Sequence, residues 1–179
     1  MSGDDALRAA DVLARDRTSE GIGSLARPEP VVTLRPIDAK TRTAVLALRV
    51  RPEQSPFVAT PTTYLQMCEA EDVWQPLAVL EGEQVVGFLM WGVDDEDDSC
   101  WLGGFIIDAA HQGRGLGRAA ALAALELLDD HGSKAGFALS YEAENTTAAG
   151  LYTSLGFVPS GERVDDEVVA RRPPSRQGA

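Results

Sequence analysis

Glycines and arginines lie close together near the middle of the chain, in the segment from Gly113 to Arg118. A short apolar run precedes this segment, and a run of alanine and leucine at helical spacing follows it. The first turn of a helix carries backbone N–H groups without an internal partner and a partial positive charge. Glycines let an anion approach those groups, and Arg114 and Arg118 add full charges. The segment therefore predicts a strand, a glycine loop and a helix that together bind a pyrophosphate.

Two common phosphate-binding motifs do not fit this spacing. A Walker A loop requires a Lys-Ser or Lys-Thr pair after its last glycine, and no such pair follows here. A dinucleotide-binding fingerprint requires G-x-G-x-x-G, with an acidic residue about 20 residues later. The loop has G-x-G-x-G instead, and Glu126 and Asp129 lie inside or at the end of the predicted helix. Both motifs are therefore rejected.

Two motifs in this region resemble signatures of the GNAT family of N-acetyltransferases. Gln112, Gly115 and Gly117 match the family's Q/R-x-x-G-x-G/A loop, and Asn145 to Phe157 matches N-x-x-A-x-x-L-Y-x-x-L-G-F. The resemblance implies an enzyme that uses acetyl-CoA as cosubstrate and holds its pyrophosphate in the loop. The strand before the loop is implied to line the pantetheine arm and to offer a backbone N–H to the thioester oxygen. The cofactor-binding residues implied in this way are Phe105, Ile106, Ile107, Gln112, Gly113, Arg114, Gly115, Leu116, Gly117, Arg118, Asn145 and Tyr152.

The segment Val50 to Ala59 resembles the V-R-x-x-Q-x-x-F-V-A stretch of the diamine, or spermidine/spermine, N-acetyltransferases. With further matches, this similarity covers about residues 31–171 and implies a small polyamine or diamine as acceptor. Gly103 and Gly104 stand where that subgroup is expected to have an arginine. An acetyltransferase of another amine, such as an antibiotic, a peptide or a protein N-terminus, and a silent acyl-CoA-binding module therefore stay as alternatives. The implied substrate-binding residues are Glu53, Gln54, Phe57, Trp101 and Glu142.

Amine acetylation requires one proton acceptor and one proton donor. An amine with a pKa of about 10 arrives protonated, and carboxylates are the candidate bases. We favour Glu142, at the predicted end of a strand, over Glu53, and either could instead hold a distal ammonium group. Tyr152 stands at the motif position where the family has its general acid for the departing thiolate. Its position in the predicted amphipathic helix would also suit an aromatic residue of the core. Because direct transfer needs no covalent intermediate, Cys68 and Cys100 are expected to be dispensable.

The composition of the 179 residues, with 44% hydrophobic and 25% charged, predicts one globular domain. A net charge of −12 argues against nucleic acid as a partner and is compatible with a cationic substrate. We expect a cytoplasmic protein without a membrane segment, because no apolar run approaches about 20 residues and the N-terminus lacks signal-peptide features. The two cysteines predict reduced thiols rather than a disulfide or a metal site. The resemblance leaves a homodimer as one option.

The order of predicted elements indicates an α/β (α+β) fold. We expect a mixed, mostly antiparallel, twisted sheet with helices on both faces, and the resemblance implies that its central strands are splayed. Residues 1–30 are predicted to be a flexible extension with a short helix at 6–14, and residues 172–179 a disordered tail. The acidic run at 94–98 is interpreted as a solvated hairpin tip rather than a polyamine site. Strands are predicted at 31–36, 76–80, 84–93, 101–108, 136–141 and 167–171, and helices at 40–50, 62–70, 146–155 and after the glycine loop.

Overall fold

A computed structural model describes residues 29–129 and 135–174. The predicted helix at 6–14 and the chain end after Pro174 lie outside the described residues. Within the described part, no helix is long and apolar enough to cross a membrane. The elements are β1 (Thr33–Pro36), α1 (Ala39–Leu46), α2 (Pro61–Ala70), β2 (Gln75–Glu81), β3 (Gln84–Val93), β4 (Cys100–Ile107), α3 (Leu116–Asp129), β5 (Phe137–Tyr141), α4 (Thr146–Ser154), β6 (Val158–Val164) and β7 (Glu167–Arg172).

The seven strands form one sheet in the order β1-β2-β3-β4-β5-β7-β6. Every neighbouring pair is antiparallel except β4 and β5, which run parallel. These two strands pair only from Cys100 to Leu102, opposite Phe137 to Leu139. Beyond Leu102 they separate, and β4 continues to Ile107 without β5 beside it. The predicted mixed, mostly antiparallel sheet with splayed central strands is confirmed.

Alternating side chains on the central strands cover the two faces of the sheet. On β2, Ala78 and Leu80 join a core with the helical residues Val45 and Leu65, on the α1 and α2 side. Leu77, Val79 and other residues of the opposite face pack against Leu116, Ala120 and Ala124 of α3. Because successive residues of a strand point to opposite faces, both sides of the sheet are covered by helices, as predicted.

The first helix ends earlier than the sequence predicts, at Leu46 rather than near Val50. Its start is clear, because Asp38 caps it and forms a capping box with Thr41. After Leu46 the chain is held by a distant segment: the Asp108 carboxylate accepts from the Arg49 N–H at 2.9 Å, and the Ala109 N–H donates to the Arg49 carbonyl at 2.7 Å. These long-range bonds replace the helical ones.

The strand β6 was not predicted, and its composition explains why. All seven of its residues are exposed, and it contains Pro159 and Gly161, which usually interrupt strands. It joins β7 through a turn at Asp165 and Asp166, which have φ values of 48° and 69°. Such left-handed turn residues match the twist of a hairpin, and Asp tolerates them better than most residues.

Candidate active site

A cleft of about 540 Å³ opens where β4 and β5 separate. It is bounded by the second half of β4, the glycine loop with the start of α3, the start of α4, and the segment that follows α1. Its lining contains most of the predicted site residues. They are Glu53, Gln54, Phe105, Ile106, Ile107, Gln112, Gly113, Gly115, Leu116, Gly117, Arg118, Asn145 and Tyr152.

The glycine loop presents open backbone to this cleft. Gly113 and Gly115 have φ values of 78° and 83°, a conformation that other residues adopt only with strain. No atom lies within 4 Å of the position that a Cβ would take on Gly113. The α3 ladder begins with the bond from the Ala119 N–H to the Gly115 carbonyl at 3.0 Å, so the N–H groups of Leu116 and Gly117 precede it. This arrangement fits the pyrophosphate of acetyl-CoA.

The two arginines of the loop have different positions. Arg118 lines the cleft, where its guanidinium is 3.3 Å from the Ser154 Oγ and 3.9 Å from the Glu29 carboxylate. Arg114 is not part of the lining and forms an ion pair with Glu81 at 2.7 Å. Arg118 is therefore the arginine placed to face a bound anion directly, whereas Arg114 contributes charge from beside the loop.

Gln112 holds the loop to two other parts of the cleft. Its side-chain amide donates to the Ile107 carbonyl at 2.8 Å and to the Gln54 Oε1 at 2.8 Å. The first bond fixes the turn between β4 and the loop. The second attaches the segment after α1, so that Gln54 and the neighbouring Glu53 lie next to the loop.

Asn145 stands at the start of α4 and lines the same cleft. Its Oδ1 accepts from the Ala148 N–H at 3.1 Å, which caps the helix. The capping bond uses the carbonyl oxygen and leaves the amide nitrogen for the cleft. In the structure, Asn145 thus fixes the start of α4 after β5, and its implied contact with the cofactor stays a prediction.

A bulge in β4 shapes the inner part of the cleft. Phe88 of β3 faces Ile106, but Met90 faces Gly103, so β4 contains one extra residue between these pairs. Gly104 has a φ of 56°, and a Cβ there would lie 3.2 Å from the Tyr64 ring. An arginine, as the polyamine subgroup suggests, would be strained at this position and would meet Tyr64. The Tyr64 ring occupies the space beside Gly104 instead.

Tyr152 lies half-buried at the inner end of the cleft, next to the gap between β4 and β5. Its ring contacts those of Tyr141 and Phe157, with centroids 5.9 Å and 6.1 Å away. Burial raises the pKa of Tyr152 well above its usual value, and the neighbouring Tyr64 and Glu167 raise it further. The hydroxyl is therefore protonated at neutral pH, as a proton donor must be.

Four predicted site residues do not line the cleft. Glu142 is exposed after β5, and Phe57 is half-buried in the segment after α1. Trp101 lies at the other end of β4, where the Arg171 guanidinium is 5.8 Å from its ring centre. The fourth is Arg114, described above. The proposed roles of these residues stay predictions.

Glu167 and Tyr64 were not predicted as site residues. Both influence Tyr152 electrostatically, although they come from β7 and α2. No local motif marks either residue, because Tyr64 sits in an ordinary amphipathic helix and Glu167 follows a turn in an acidic segment.

Comparison with known proteins identifies similarity along most of the chain. A model of the acetyltransferase (GNAT) family matches residues 33–157. A spermine/spermidine N(1)-acetyltransferase of Bacillus subtilis is 26% identical over 137 residues, which are 73% of this chain and 90% of that protein.

Two solved structures have a similar fold. The spermidine N-acetyltransferase of Vibrio cholerae, in complex with CoA and spermine, has a TM-score of 0.62 at 20% identity, covering 78% of this chain and 92% of that one. The ribosomal-protein-S18-alanine N-acetyltransferase of Escherichia coli has a TM-score of 0.62 at 21% identity, covering 83% and 97%. One of these two enzymes is thus named for a polyamine and the other for an alanine of a ribosomal protein.

Proposed function

Because the chain belongs to the acetyltransferase (GNAT) family and is an N-acetyltransferase that uses acetyl-CoA, we propose that it acetylates a primary amine of a small polyamine or diamine, such as spermidine or spermine. The observation that carries this proposal is the position of the segment Val50 to Val58. Its sequence resembles the polyamine subgroup, and five of its residues line the cleft beside the glycine loop: Val50, Arg51, Glu53, Gln54 and Val58. The similarity to the Bacillus subtilis enzyme supports the same acceptor class.

Acetyl-CoA supplies the activated acetyl thioester for the reaction. In the proposed arrangement, the N–H groups at the start of α3 and the Arg118 guanidinium hold the pyrophosphate. The backbone from Phe105 to Ile107 lacks β5 as a partner, so it is available to line the pantetheine arm. This arrangement leaves the inner end of the cleft, near Tyr152, for the reacting groups.

Tyr152 is proposed as the proton donor to the departing sulfur. Its raised pKa keeps the hydroxyl proton at any pH at which the protein is commonly assayed. Glu142 is our proposed base, and Glu53 is the alternative. Glu53 lines the cleft whereas Glu142 is exposed outside the lining, so a base role for Glu142 would require a bridging water.

The experiment that tests the function measures CoA release from acetyl-CoA with spermidine, spermine, putrescine, an aminoglycoside and a short peptide as separate acceptors. We expect polyamines to give the highest kcat/KM. Turnover with the peptide or the aminoglycoside alone would contradict the polyamine assignment and favour another amine acceptor. Release of CoA without any amine is the background to subtract.

A second measurement separates acceptor choice from the acetyl-CoA site. Binding of CoA to the protein is expected to be independent of the amine panel, because the glycine loop and the acceptor pocket use different residues. If CoA binds and no amine in the panel reacts, the polyamine proposal fails while the acetyl-CoA site stands.

A further inference from the structure

Glu167 is the first residue of β7. Its side chain lies beside the last residues of β5. The Ser140 hydroxyl donates to the Glu167 Oε2 at 2.5 Å, a short bond that joins β7 to β5. The neighbouring pair in the register is Tyr141 with Val168, so Glu167 lies just past the last residue of β5. This is the end of β5 that diverges from β4.

Among the described residues, the carboxylate of Glu167 has no cationic partner. Within residues 29–129 and 135–174, no Arg, Lys or His nitrogen lies within 4.0 Å of it, and its Oε1 accepts no side-chain hydrogen bond. Glu162 on the same hairpin forms an ion pair with Arg171 at 2.7 Å. A half-buried carboxylate without a counter-charge is unfavourable, and a cationic ligand would remove that cost.

The charge of Glu167 acts on two tyrosines, Tyr64 and Tyr152. Burial raises the pKa of Tyr64, and the charge of Glu167 raises it further. The same charge adds to the raised pKa of Tyr152. The Tyr64 oxygen accepts from the Ala59 N–H at 3.0 Å, which leaves its own proton for another acceptor. The charge of Glu167 on β7 thus acts on one tyrosine of α2 and one of α4.

Resting on the proposed function, we propose that Glu167 is the residue that binds the cationic ammonium group of the acceptor, and that Ser140 positions its carboxylate. The unpaired Oε1 supplies the anionic contact, while the bond from Ser140 to Oε2 fixes the direction of the side chain. The Tyr64 ring lies beside Gly104, where a Cβ would come within 3.2 Å of its carbon atoms. The site therefore selects acceptors that carry a positive charge at this point.

The test is isothermal titration of spermidine into the CoA-bound protein, comparing the wild type with Glu167→Gln. Loss of one charge-assisted contact is expected to weaken spermidine binding by about 10- to 100-fold. CoA affinity is expected to stay unchanged. Ser140→Ala keeps the charge but frees the carboxylate, so it is expected to fall between the wild type and Glu167→Gln.

The matched control is Asp165→Asn, which removes one negative charge from the same hairpin and keeps a residue that tolerates a φ of 48°. Equal spermidine affinity in Glu167→Gln and the wild type would overturn the inference, as would an equal loss in Asp165→Asn. Absence of spermidine binding to the wild type would overturn it too. If spermidine binds through Glu167 but releases no CoA, the inference stands and the proposed function fails.

Discussion

The two ends of β4 are built from one strand and have opposite characters. At the end from Cys100 to Leu102, β4 is hydrogen-bonded to both β3 and β5. Trp101 lies there against Arg171, which forms ion pairs with Asp97 at 2.8 Å and Glu162 at 2.7 Å. We call this the closed end, because its strand edges and its charged groups have partners.

The other end, from Gly103 to Ile107, is the open end. It has lost β5 as a neighbour, contains a bulge at Gly104, and leads into the glycine loop. The carboxylates of Glu53 and Glu167 near it have no ion-pair partner among the described residues. The comparison shows where unpaired groups lie among the described residues. The β4 edge without β5 and the carboxylates without ion pairs are at the end where ligands are proposed to bind.

The largest effect is expected from a change at the open end that removes only one oxygen atom. Tyr152→Phe is predicted to lower kcat about 100-fold or more, because a positioned proton donor typically contributes that much. The KM for acetyl-CoA is expected to change little. Steady-state CoA release with spermidine measures both values.

Tyr141→Phe is the matched control for this variant, since it removes a hydroxyl from the ring that packs 5.9 Å from Tyr152. It is expected to keep kcat within about twofold, because no proton donor is lost. The same loss in both variants would show that Tyr152 supports the aromatic cluster and does not donate the proton.

The second largest effect at the open end is expected from Gly104→Arg. It introduces the residue that the polyamine subgroup suggests, but at a φ of 56° and 3.2 Å from the Tyr64 ring. A left-handed conformation costs a residue with a side chain about 1–2 kcal/mol, and displacement of Tyr64 adds to this. We expect a Tm lower by several degrees and a higher KM for the amine.

Gly104→Ala separates the backbone strain from the displacement of Tyr64. It has the same strained backbone but only a short side chain. Thermal unfolding and the amine KM are measured for both variants. Tighter binding of spermidine by Gly104→Arg would show that the pocket accepts the arginine, contrary to the position of Tyr64.

Arg171→Met breaks the closed end and is predicted to affect stability rather than catalysis. The hydrogen bond from Arg171 lowers the pKa of Glu162, and hydrogen bonds from Ser99 lower the pKa of Asp97, to which Arg171 also contributes. Carboxylates with lowered pKa values stabilise the fold above their usual pKa of about 4 and lose that contribution as the pH falls.

The difference in Tm between Arg171→Met and the wild type is therefore expected at pH 7 and should shrink below about pH 4. The kcat with spermidine should stay within about twofold of the wild type, because Arg171 and its two carboxylate partners do not line the cleft. A large loss of kcat would mean that the ion pairs of Arg171 at the closed end are required for catalysis at the open end.

The smallest effect on turnover is expected from the cysteines. Burial raises the pKa of Cys100 to about 11, so its thiol stays protonated at neutral pH, and it belongs to the closed end. Cys68 is half-buried, lies 3.7 Å from the Met90 sulfur, and its pKa is also raised by burial. Replacing both by alanine should leave CoA release largely unchanged. A strong loss of turnover would contradict direct transfer.

Local patterns in the sequence were enough to predict most of the elements near the cleft. Glycines at 113, 115 and 117 predicted the loop, the motif that begins at Asn145 preceded the predicted α4, and short apolar runs predicted β2 and β3. Each of these signals depends on residues a few positions apart, where propensity and capping act. The motif residues from Phe105 to Tyr152 accordingly lie around one cleft.

Other features depend on residues that are distant in the chain. The end of α1 is set by Asp108, 59 residues after Arg49, and the Glu167 carboxylate is held by Ser140, 27 residues before it. The exposed strand β6 exists because β7 pairs with it, since its own sequence favours no strand. Such contacts have no spacing rule that could reveal them in advance.

The sequence by itself determined the family, the glycine loop and the identity of the proposed proton donor, because short motifs carry that chemistry in adjacent residues. Only the tertiary structure decided which carboxylates face the cleft and which are paired away from it. Whether a carboxylate finds a cation depends on how the strands and helices pack. That packing places Glu162 beside Arg171 and leaves Glu167, on the same hairpin, without an ion-pair partner among the described residues.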